Sequence, residues 1–220
     1  MNAVAITMDG LTTSDSEPRF ARPRATRTVR FVTDDDDAQL MIAYANGDLR
    51  AFEILYARHR AALYRYLMRQ ARDGEVANDL FQEVWSRVIV NRARYEPRAK
   101  FRTFLFTLAH NCFIDHCRRM KSRPTGANID DADAADLLPA AEDTRPDARL
   151  ERDDVTRRYR AALATLPPDQ RDVYLLHEES DLSLEEIARV TGVGTETAKS
   201  RLRYAVSKLK AALSVAETAT

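Results

Sequence analysis

Four side chains that could bind a metal or react as thiols lie close together in the chain, at His110, Cys112, His116 and Cys117. Cys112 and His116 are four positions apart, so a helix places them on one face at a spacing that can hold zinc. A closed zinc site needs four converging ligands, and side chains from a single helix cannot surround one ion. The two cysteines diverge on a helix, which disfavours a disulfide. We therefore expect no metal or redox centre here, but a buried cysteine with polar neighbours.

The segment from residue 183 to 210 has a pattern that could bind DNA. Ser183 is followed three residues later by Glu186, which predicts a capping box at the start of a short helix. Gly192 can supply the positive φ of a tight turn, and a second helix is predicted to begin near Gly194–Thr195. A short helix, a glycine turn and a longer helix form the helix-turn-helix pattern. The inward positions of the second helix are Ala198, Leu202, Ala205 and Leu209.

The charge of this segment changes sign at the turn. Acidic residues precede the turn, with Arg189 the only base among them, and basic residues follow it, against Glu196 alone: Glu178, Glu179, Asp181, Glu185 and Glu186, then Lys199, Arg201, Arg203, Lys208 and Lys210. A helix in the major groove needs a basic, polar outer face, because Arg and Lys reach phosphates and guanine edges. We therefore predict that the second helix binds duplex DNA. A solvated basic face on an ordinary amphipathic helix is the plainer alternative.

A third candidate site is acidic and lies in the middle of an earlier helical segment. Asp79, Gln82 and Glu83 are spaced i, i+3 and i+4, so their side chains share one helix face. The apolar residues between them turn towards the core. An acidic patch on an otherwise basic region indicates a protein partner with a basic surface, and a solvated helix face is the alternative.

Net charge is zero for the whole chain, but the charges are segregated. Residues 38–120 carry fourteen basic and eight acidic residues, a net charge of +6. The flanking segments 1–37 and 121–150 carry five against seven and four against seven, net charges of −2 and −3. A basic block between acidic segments suits a protein that meets a polyanion locally.

Composition excludes several classes of protein. Of the 220 residues, 45% are hydrophobic and 31% charged, as in a globular protein. No apolar run approaches the roughly 20 residues that span a bilayer, and residues 1–30 lack a signal-peptide pattern. Two cysteines make no disulfide scaffold, so we expect a reducing, cytoplasmic location. No nucleophile elbow, phosphate-binding glycine loop or metalloprotease signature is present, and we expect neither an enzyme nor a cofactor.

Hydrophobic periodicity predicts an all-α protein with two small helical domains joined by a flexible linker. Spacings of three to four residues recur through the first domain, and Pro167-Pro168 separates two helices of the second. The linker is rich in Pro, Ala, Asp and Thr. The predicted divisions are a disordered N-terminal extension (1–37), the first domain (38–120), the linker (121–149), the helix-turn-helix domain (150–213) and a tail (214–220).

Together these segments resemble a known family. DLFQEVW (79–85), KFRTFLFTLAHNCFIDHCRR (100–119) and the stretch from LPPDQRDVYLLHEE to RLRYAVSKLK (166–210) occur in that family's order and spacing. The chain is similar to the bacterial RNA polymerase sigma factors of the small, two-domain, extracytoplasmic-function (ECF) group. The resemblance covers about residues 38–120 and 150–213, which correspond to sigma regions 2 and 4.

The resemblance implies a function, partners and site residues. Such a factor binds core RNA polymerase, through the β′ clamp helices and the β flap, and directs promoter recognition, melting and initiation, without membrane insertion. An anti-sigma factor usually holds these proteins inactive. The implied residues are Asp79, Gln82 and Glu83 for the polymerase; Lys100, Arg102, His110, Asn111, Asp115, Arg118 and Arg119 for the −10 element; and Lys199, Ser200, Arg201, Arg203 and Tyr204 for the −35 element.

Two departures from the family pattern and two alternatives accompany this interpretation. Thr107 and Leu108 stand where housekeeping sigma factors place paired aromatic residues, which favours the alternative group, and Thr191 replaces a usual apolar residue in the turn. A conventional helix-turn-helix regulator would bind duplex DNA without polymerase. An adaptor or anti-sigma decoy would use the same surfaces for protein binding only. With an unconstrained linker, we expect the free chain to bind promoter DNA weakly.

Overall fold

The structure is a computed structural model that describes residues 36–122 and 146–218. Its described elements are eight α-helices and one 3₁₀ turn, with no strand among these residues. They are α1 (Asp36–Ala45), α2 (Leu49–Ala71), α3 (Gly74–Asn91), the 3₁₀ turn (Arg92–Arg94), α4 (Phe101–Ser122), α5 (Pro146–Ala164), α6 (Pro168–Ser180), α7 (Leu184–Thr191) and α8 (Thr195–Thr218). The predicted all-α fold is confirmed. The predicted disordered extension lies almost wholly outside the described residues, as does most of the predicted linker.

Helix boundaries in the first half follow from local capping. Asp48 and Asp73 precede α2 and α3, and the carboxylate of each accepts hydrogen bonds from two backbone N–H groups of the first turn. These bonds satisfy donors that have no partner within the helix. Arg72 ends α2 in the left-handed conformation with φ of 60°, and its N–H donates to the carbonyl of Met68. The chain therefore reverses between α2 and α3 in a few residues.

Helices α1 to α4 form a first bundle around a largely aromatic and aliphatic core. Trp85 of α3 packs against Phe52 and Tyr56 of α2, with ring centroids 5.7 and 5.0 Å apart. Edge-to-face and tilted arrangements of this kind are favoured by the ring quadrupoles. Phe101, Leu105 and Cys112 of α4 are fully buried, as are Leu55, Leu63, Leu67, Val84 and Phe106.

Helices α5 to α8 form a second bundle that contains the helix-turn-helix. The predicted capping box of α7 is confirmed: the Glu186 N–H donates to Oγ of Ser183 at 3.3 Å, and the Ser183 N–H donates to Oε2 of Glu186 at 2.8 Å. Gly192 ends α7 with φ of 68°. Two helices extend beyond the predicted limits of this domain, 150–213, since α5 begins at Pro146 and α8 continues to Thr218.

The two bundles pack together, which differs from the expected unconstrained arrangement. All described residues belong to one compact unit, in which α2 and α4 of the first bundle contact α6 and α7 of the second. Buried apolar residues of both bundles belong to one continuous core cluster, and basic side chains of the first bundle meet carboxylates of the second. Of the helices described, none has the length and apolar character needed to cross a membrane.

Candidate nucleic-acid interface

The outer face of α8 carries cationic and aromatic side chains. Ala198, Ala205 and Leu209 are buried against the second bundle, so the opposite side of the helix is presented to solvent. On this side Lys199 is 64% exposed at its side chain and Tyr204 is 53% exposed. The guanidinium of Arg203 lies 5.1 Å from the centroid of the Tyr204 ring. A stacked cation and aromatic ring on a solvent-facing helix can contact phosphates and base edges.

Arg201 points away from this face. Its Nη2 atom lies 2.6 Å from Oδ2 of Asp169 at the start of α6, and 27% of its side chain is exposed. Ser200 lies on the outer side and is half-buried. Of the five predicted −35 residues, Lys199, Arg203 and Tyr204 therefore lie on the outer face, whereas Arg201 forms an ion pair with the neighbouring helix α6.

The predicted polymerase-binding residues line up along α3. Asp79 and Gln82 are exposed, whereas Glu83 is half-buried and accepts a hydrogen bond from Arg87 at 2.5 Å. Leu80 turns inward, as the spacing predicted. A groove between α3 and α4 runs beside these carboxylates and is lined by Val76, Asp79, Leu80, Glu83, His116, Arg119 and Met120.

The seven predicted −10 residues divide into two groups, six of them on α4 and Lys100 immediately before it. Towards the C-terminal end, Arg118 and Asp115 lie 3.6 Å apart, and Arg119 lies 3.6 Å from Glu83 of α3. This group therefore adjoins the α3 carboxylates. Asn111 is exposed. The remaining three, Lys100, Arg102 and His110, face the second bundle.

Lys100 and Arg102 contact carboxylates near the start of α7. Nζ of Lys100 lies 3.1 Å from Oε1 of Glu186, and Nη1 of Arg102 lies 2.9 Å from Oδ2 of Asp181. Burial raises the pKa of Glu186, but hydrogen bonds from Ser183 and Lys100 together with the Lys100 charge outweigh it, so the pKa is below its ordinary value. Glu186 is therefore an anion that joins the capping box to the first bundle.

Asp172 of α6 is the centre of a buried polar cluster between the bundles. Its Oδ1 atom accepts hydrogen bonds from the Tyr66 hydroxyl at 2.7 Å and from Nε2 of Gln70 at 2.6 Å. Nδ1 of His110 lies 2.9 Å from Oδ2, a close polar contact whose geometry falls short of a hydrogen bond. Burial, followed by the charge of Asp172, raises the pKa of Tyr66 well above its ordinary value, so Tyr66 remains a hydroxyl donor.

The cysteine and histidine cluster on α4 does not converge. Cys112 is fully buried, and burial raises the pKa of its thiol to about 11. Cys117 is half-buried, and burial likewise raises its thiol pKa. His110 faces Asp172, whereas His116 lines the groove beside α3. Within residues 36–122 and 146–218, no group of three or more His, Cys, Asp or Glu side chains is placed to hold a metal ion.

Comparison with known proteins assigns both bundles to one family. Residues 55–123 match Sigma-70 region 2, and residues 156–209 match Sigma-70, region 4. The chain is 32% identical over 170 residues to the RNA polymerase sigma factor CarQ of Myxococcus xanthus, across 77% of this chain and 93% of CarQ. The chain belongs to the sigma-70 family, in its ECF group. It is also 30% identical over 173 residues to the ECF sigma factor SigM of Mycobacterium tuberculosis H37Rv, across 79% of this chain and 82% of SigM.

The fold of this sigma factor also resembles that of CnrH. The structure of CnrH in complex with the cytosolic domain of CnrY matches with a TM-score of 0.60 and 25% identity, across 82% of this chain and 99% of CnrH. Membership of the family makes the protein an alternative sigma factor that binds core RNA polymerase and directs promoter recognition and transcription initiation. It is a regulatory protein and not an enzyme, since the catalytic site belongs to the polymerase.

Sequence reasoning missed two basic residues of this sigma factor that face the second bundle. Nε of Arg65 donates to Oε2 of Glu179 at 2.6 Å, and Arg69 contacts the other oxygen of the same carboxylate. Their spacing of four residues indicates a shared face of α2. Nothing in the sequence indicates that Glu179, more than a hundred residues later, is their partner.

Proposed function

We propose that this sigma factor divides promoter recognition between its two bundles. In this proposal α8 reads the −35 element as duplex DNA, α4 captures the melted −10 strand, and the α3 carboxylates dock on the β′ clamp helices of the polymerase. The observation that carries it is the outward face of α8, where Lys199, Arg203 and Tyr204 stand beyond the turn of a helix-turn-helix. The N-terminal part of such a helix is the part that enters the major groove.

The −35 assignment is tested by comparing two basic residues of α8. Arg203→Ala should weaken binding of holoenzyme to a −35-dependent promoter by about 1–3 kcal/mol, because a guanidinium that contacts a base contributes that much. Lys210→Ala removes another exposed charge two turns further along α8, beyond the reach expected of the groove, and should change affinity by less than about twofold. Equal losses in the two variants would contradict base contact by Arg203. Arg201 would have to leave Asp169 before it could reach DNA.

The polymerase assignment rests on exposure and charge at α3. Asp79 is exposed on the same face as Gln82, so its carboxylate is accessible to a basic partner surface. Asp79→Lys should weaken core polymerase binding at least about tenfold, because a like charge now faces that surface. Glu53→Lys makes the same charge change at an exposed position of α2 and serves as the control. Fluorescence anisotropy with purified core polymerase measures both, and unchanged affinity in Asp79→Lys would refute the docking face.

The residues proposed to bind the −10 element lie on α4 and just before it. Some of them are exposed, and others contact the second bundle. Melted strands are held by cationic grooves and by contacts to unstacked bases, and Lys100, Arg102 and His110 provide cationic and polar groups on one side of the helix. Asn111, Asp115, Arg118 and Arg119 extend this surface towards α3. We infer that both groups contact promoter DNA when polymerase is bound.

Location and regulation follow from the same proposal. We infer that the protein works in the cytoplasm, where bacterial polymerase and promoter DNA meet, and that an anti-sigma factor binds it. The complex of CnrH with the cytosolic domain of CnrY is a precedent for a protein partner.

Run-off transcription tests the function as a whole. Purified core polymerase and promoter fragments from the source genome are transcribed with and without the protein. Discrete transcripts that require the protein are expected. A specific duplex shift without polymerase, and no new transcript, would instead support a conventional helix-turn-helix regulator.

A further inference from the structure

Arg201 lies at the border between the buried face and the outer face of α8, within the first two turns of the helix. It follows the buried Ala198 by three positions and precedes the buried Ala205 by four, so it adjoins the face that packs against the rest of the second bundle. It also precedes the exposed Tyr204 by three positions, so it adjoins the outer face as well. An arginine at such a border can direct its guanidinium to either side, because its aliphatic stem is long and rotatable.

The guanidinium of Arg201 is turned towards α6. Its Nη2 atom donates to Oδ2 of Asp169 at 2.6 Å, and Asp169 lies in the first turn of that helix. An anion is favoured at this position, because the N-terminus of a helix carries a partial positive charge. The ion pair therefore fixes the direction of the Arg201 side chain before any DNA is bound.

The ion pair between Asp169 and Arg201 is accessible to solvent. The side chain of Asp169 is 66% exposed and that of Arg201 is 27% exposed. Ion pairs of this kind contribute little to stability, because water competes for both partners and salt screens their charges. A DNA phosphate offers the guanidinium the same anionic oxygens as a carboxylate. A phosphate can therefore replace the carboxylate, since water would then solvate Asp169.

The neighbouring basic residues of α8 need no such exchange. Lys199 lies 3.8 Å from Glu196 of its own helix and faces outward, with 64% of its side chain exposed. Arg203 is exposed and lies beside the Tyr204 ring on the outer face. Both are directed towards solvent before DNA arrives. Arg201 has to leave a carboxylate of another helix first, so its contact with DNA carries an additional cost.

We propose that Asp169 competes with the DNA backbone for Arg201 and thereby lowers the affinity of α8 for duplex DNA. When α8 enters the major groove, Arg201 exchanges the Asp169 carboxylate for a phosphate at the groove edge. Phosphate contacts carry no sequence information, so Asp169 lowers the affinity for matched and unmatched DNA alike. Weaker sequence-independent binding limits retention on the many unmatched sites of a genome. The inference rests on the proposed role of α8 in binding the −35 element.

Asp169→Asn tests the competition as a gain of affinity, which a damaged fold cannot produce. Asparagine keeps the size of the side chain and removes its charge. Holoenzyme that contains this variant should bind a −35-dependent promoter fragment about threefold more tightly than wild type, because an exposed ion pair no longer has to be broken. Fluorescence anisotropy with a labelled fragment measures the affinity. Unchanged or weaker binding would overturn the proposal.

Two further variants separate this gain from a general effect of charge. Glu178→Gln removes an exposed carboxylate that contacts His177, nine positions or roughly 13 Å further along α6. This distance exceeds a Debye length of about 10 Å at 0.1 M salt, so affinity should stay within about 1.5-fold of wild type. Asp169→Asn combined with Arg201→Ala should show no gain over Arg201→Ala alone, because the competing cation is absent. A gain that persists without Arg201 would overturn the proposal.

The salt dependence of binding tests whether Arg201 meets a phosphate. Each phosphate contact contributes about 0.9 to the slope of log affinity against log salt concentration. Arg201→Ala should therefore reduce the magnitude of this slope by about 0.9, whereas Asp169→Asn should leave it near the wild-type value. Weaker binding of Arg201→Ala with an unchanged slope would mean that Arg201 positions α8 and contacts no phosphate, which would overturn the proposal.

An unmatched duplex distinguishes failure of this inference from failure of the −35 assignment. Asp169→Asn in the full chain should show the same gain on unmatched DNA, because a phosphate contact is independent of sequence. A gain confined to the matched promoter would contradict competition for a phosphate. Weaker promoter binding by Arg203→Ala without any gain in Asp169→Asn would overturn only the competition. Unchanged promoter binding by Arg203→Ala would refute the −35 assignment, whatever the result for Asp169→Asn.

Discussion

His59 is a buried imidazole that joins the first two helices of this sigma factor. Its Nε2 atom lies 2.7 Å from Oδ2 of Asp37 on α1, and Nη1 of Arg58 donates to the other carboxylate oxygen at 2.5 Å. Burial lowers the pKa of His59 below its ordinary value of 6.5, and the positive charges of Arg102 and Arg58 lower it further. The hydrogen bond to Asp37 and the charge of that carboxylate raise the pKa but do not outweigh burial. Folding therefore favours the neutral imidazole.

This depressed pKa predicts acid sensitivity. Between the folded pKa and 6.5 the unfolded chain binds the proton more readily, so the free energy of unfolding falls as pH falls through that range and is fully restored above about 6.5. Urea unfolding at pH 7.5 and pH 5.5 should show a smaller pH-dependent loss for His59→Gln than for wild type. His177→Gln, at an exposed position, should retain the wild-type loss. Identical losses in wild type and His59→Gln would contradict the assignment.

The sequence predicts the buried face of α8 but not every contact of its basic residues. Periodicity places Ala198, Leu202, Ala205 and Leu209 inward, because a helix repeats its faces at fixed spacing. Three of the four are buried, and Leu202 is half-buried against the same core. Arg201 looks like the other basic residues of α8, yet it pairs with Asp169 thirty-two positions earlier. No local pattern indicates such a pair.

The turn between α7 and α8 contains two glycines, and only one of them has a backbone conformation that favours glycine. Gly192 has φ of +68°, whereas Gly194, two positions later, has no such conformation, and a Cβ added at either would meet no atom within 4 Å. The two glycines therefore differ in backbone conformation and not in available space. Only Gly192 is needed for the left-handed geometry that ends α7.

We predict unequal effects of alanine at these two glycines. Gly192→Ala should lower the free energy of unfolding by about 1–2 kcal/mol, since an L-residue is strained in the left-handed region. Gly194→Ala should change it by less than about 0.5 kcal/mol or raise it slightly, through a lower entropy of the unfolded chain. Chemical denaturation followed by circular dichroism measures both. Equal destabilisation would contradict the assignment of the strain to the positive φ of Gly192.

Elements defined by local signals were predictable, whereas their assembly was not. Pro168 predicted the start of α6, and the capping box and Gly192 predicted both ends of α7, because caps and turns depend on neighbouring residues. The contact of α2 with α6 joins residues about a hundred positions apart, such as Tyr66 and Asp172. The polar composition of the linker between them predicted that the two bundles would move independently. Composition carries no information on which charged side chains pair, so it could not predict the contact that forms.

At the scale of the whole molecule, the two bundles share buried polar contacts that neither can satisfy alone. Separation would leave Asp172 without the Tyr66 and Gln70 donors and Glu179 without its two arginines. Water can replace these partners, so the loss is modest compared with removing one partner in a closed site. The bundles should therefore be coupled in stability while remaining able to separate.

We predict that the two bundles unfold in a coupled manner. Trp85, the single tryptophan, lies in the core of the first bundle, so its fluorescence reports on that bundle, whereas Gly192 belongs to the second. If the bundles are coupled, Gly192→Ala should lower the urea midpoint of Trp85 fluorescence although it alters no residue near the indole. Gly194→Ala should leave that midpoint unchanged. Combining Gly192→Ala with Glu179→Gln should abolish the shift relative to Glu179→Gln alone, because the main ionic contact is then absent. A Trp85 midpoint insensitive to Gly192→Ala at low salt would mean that the bundles unfold independently.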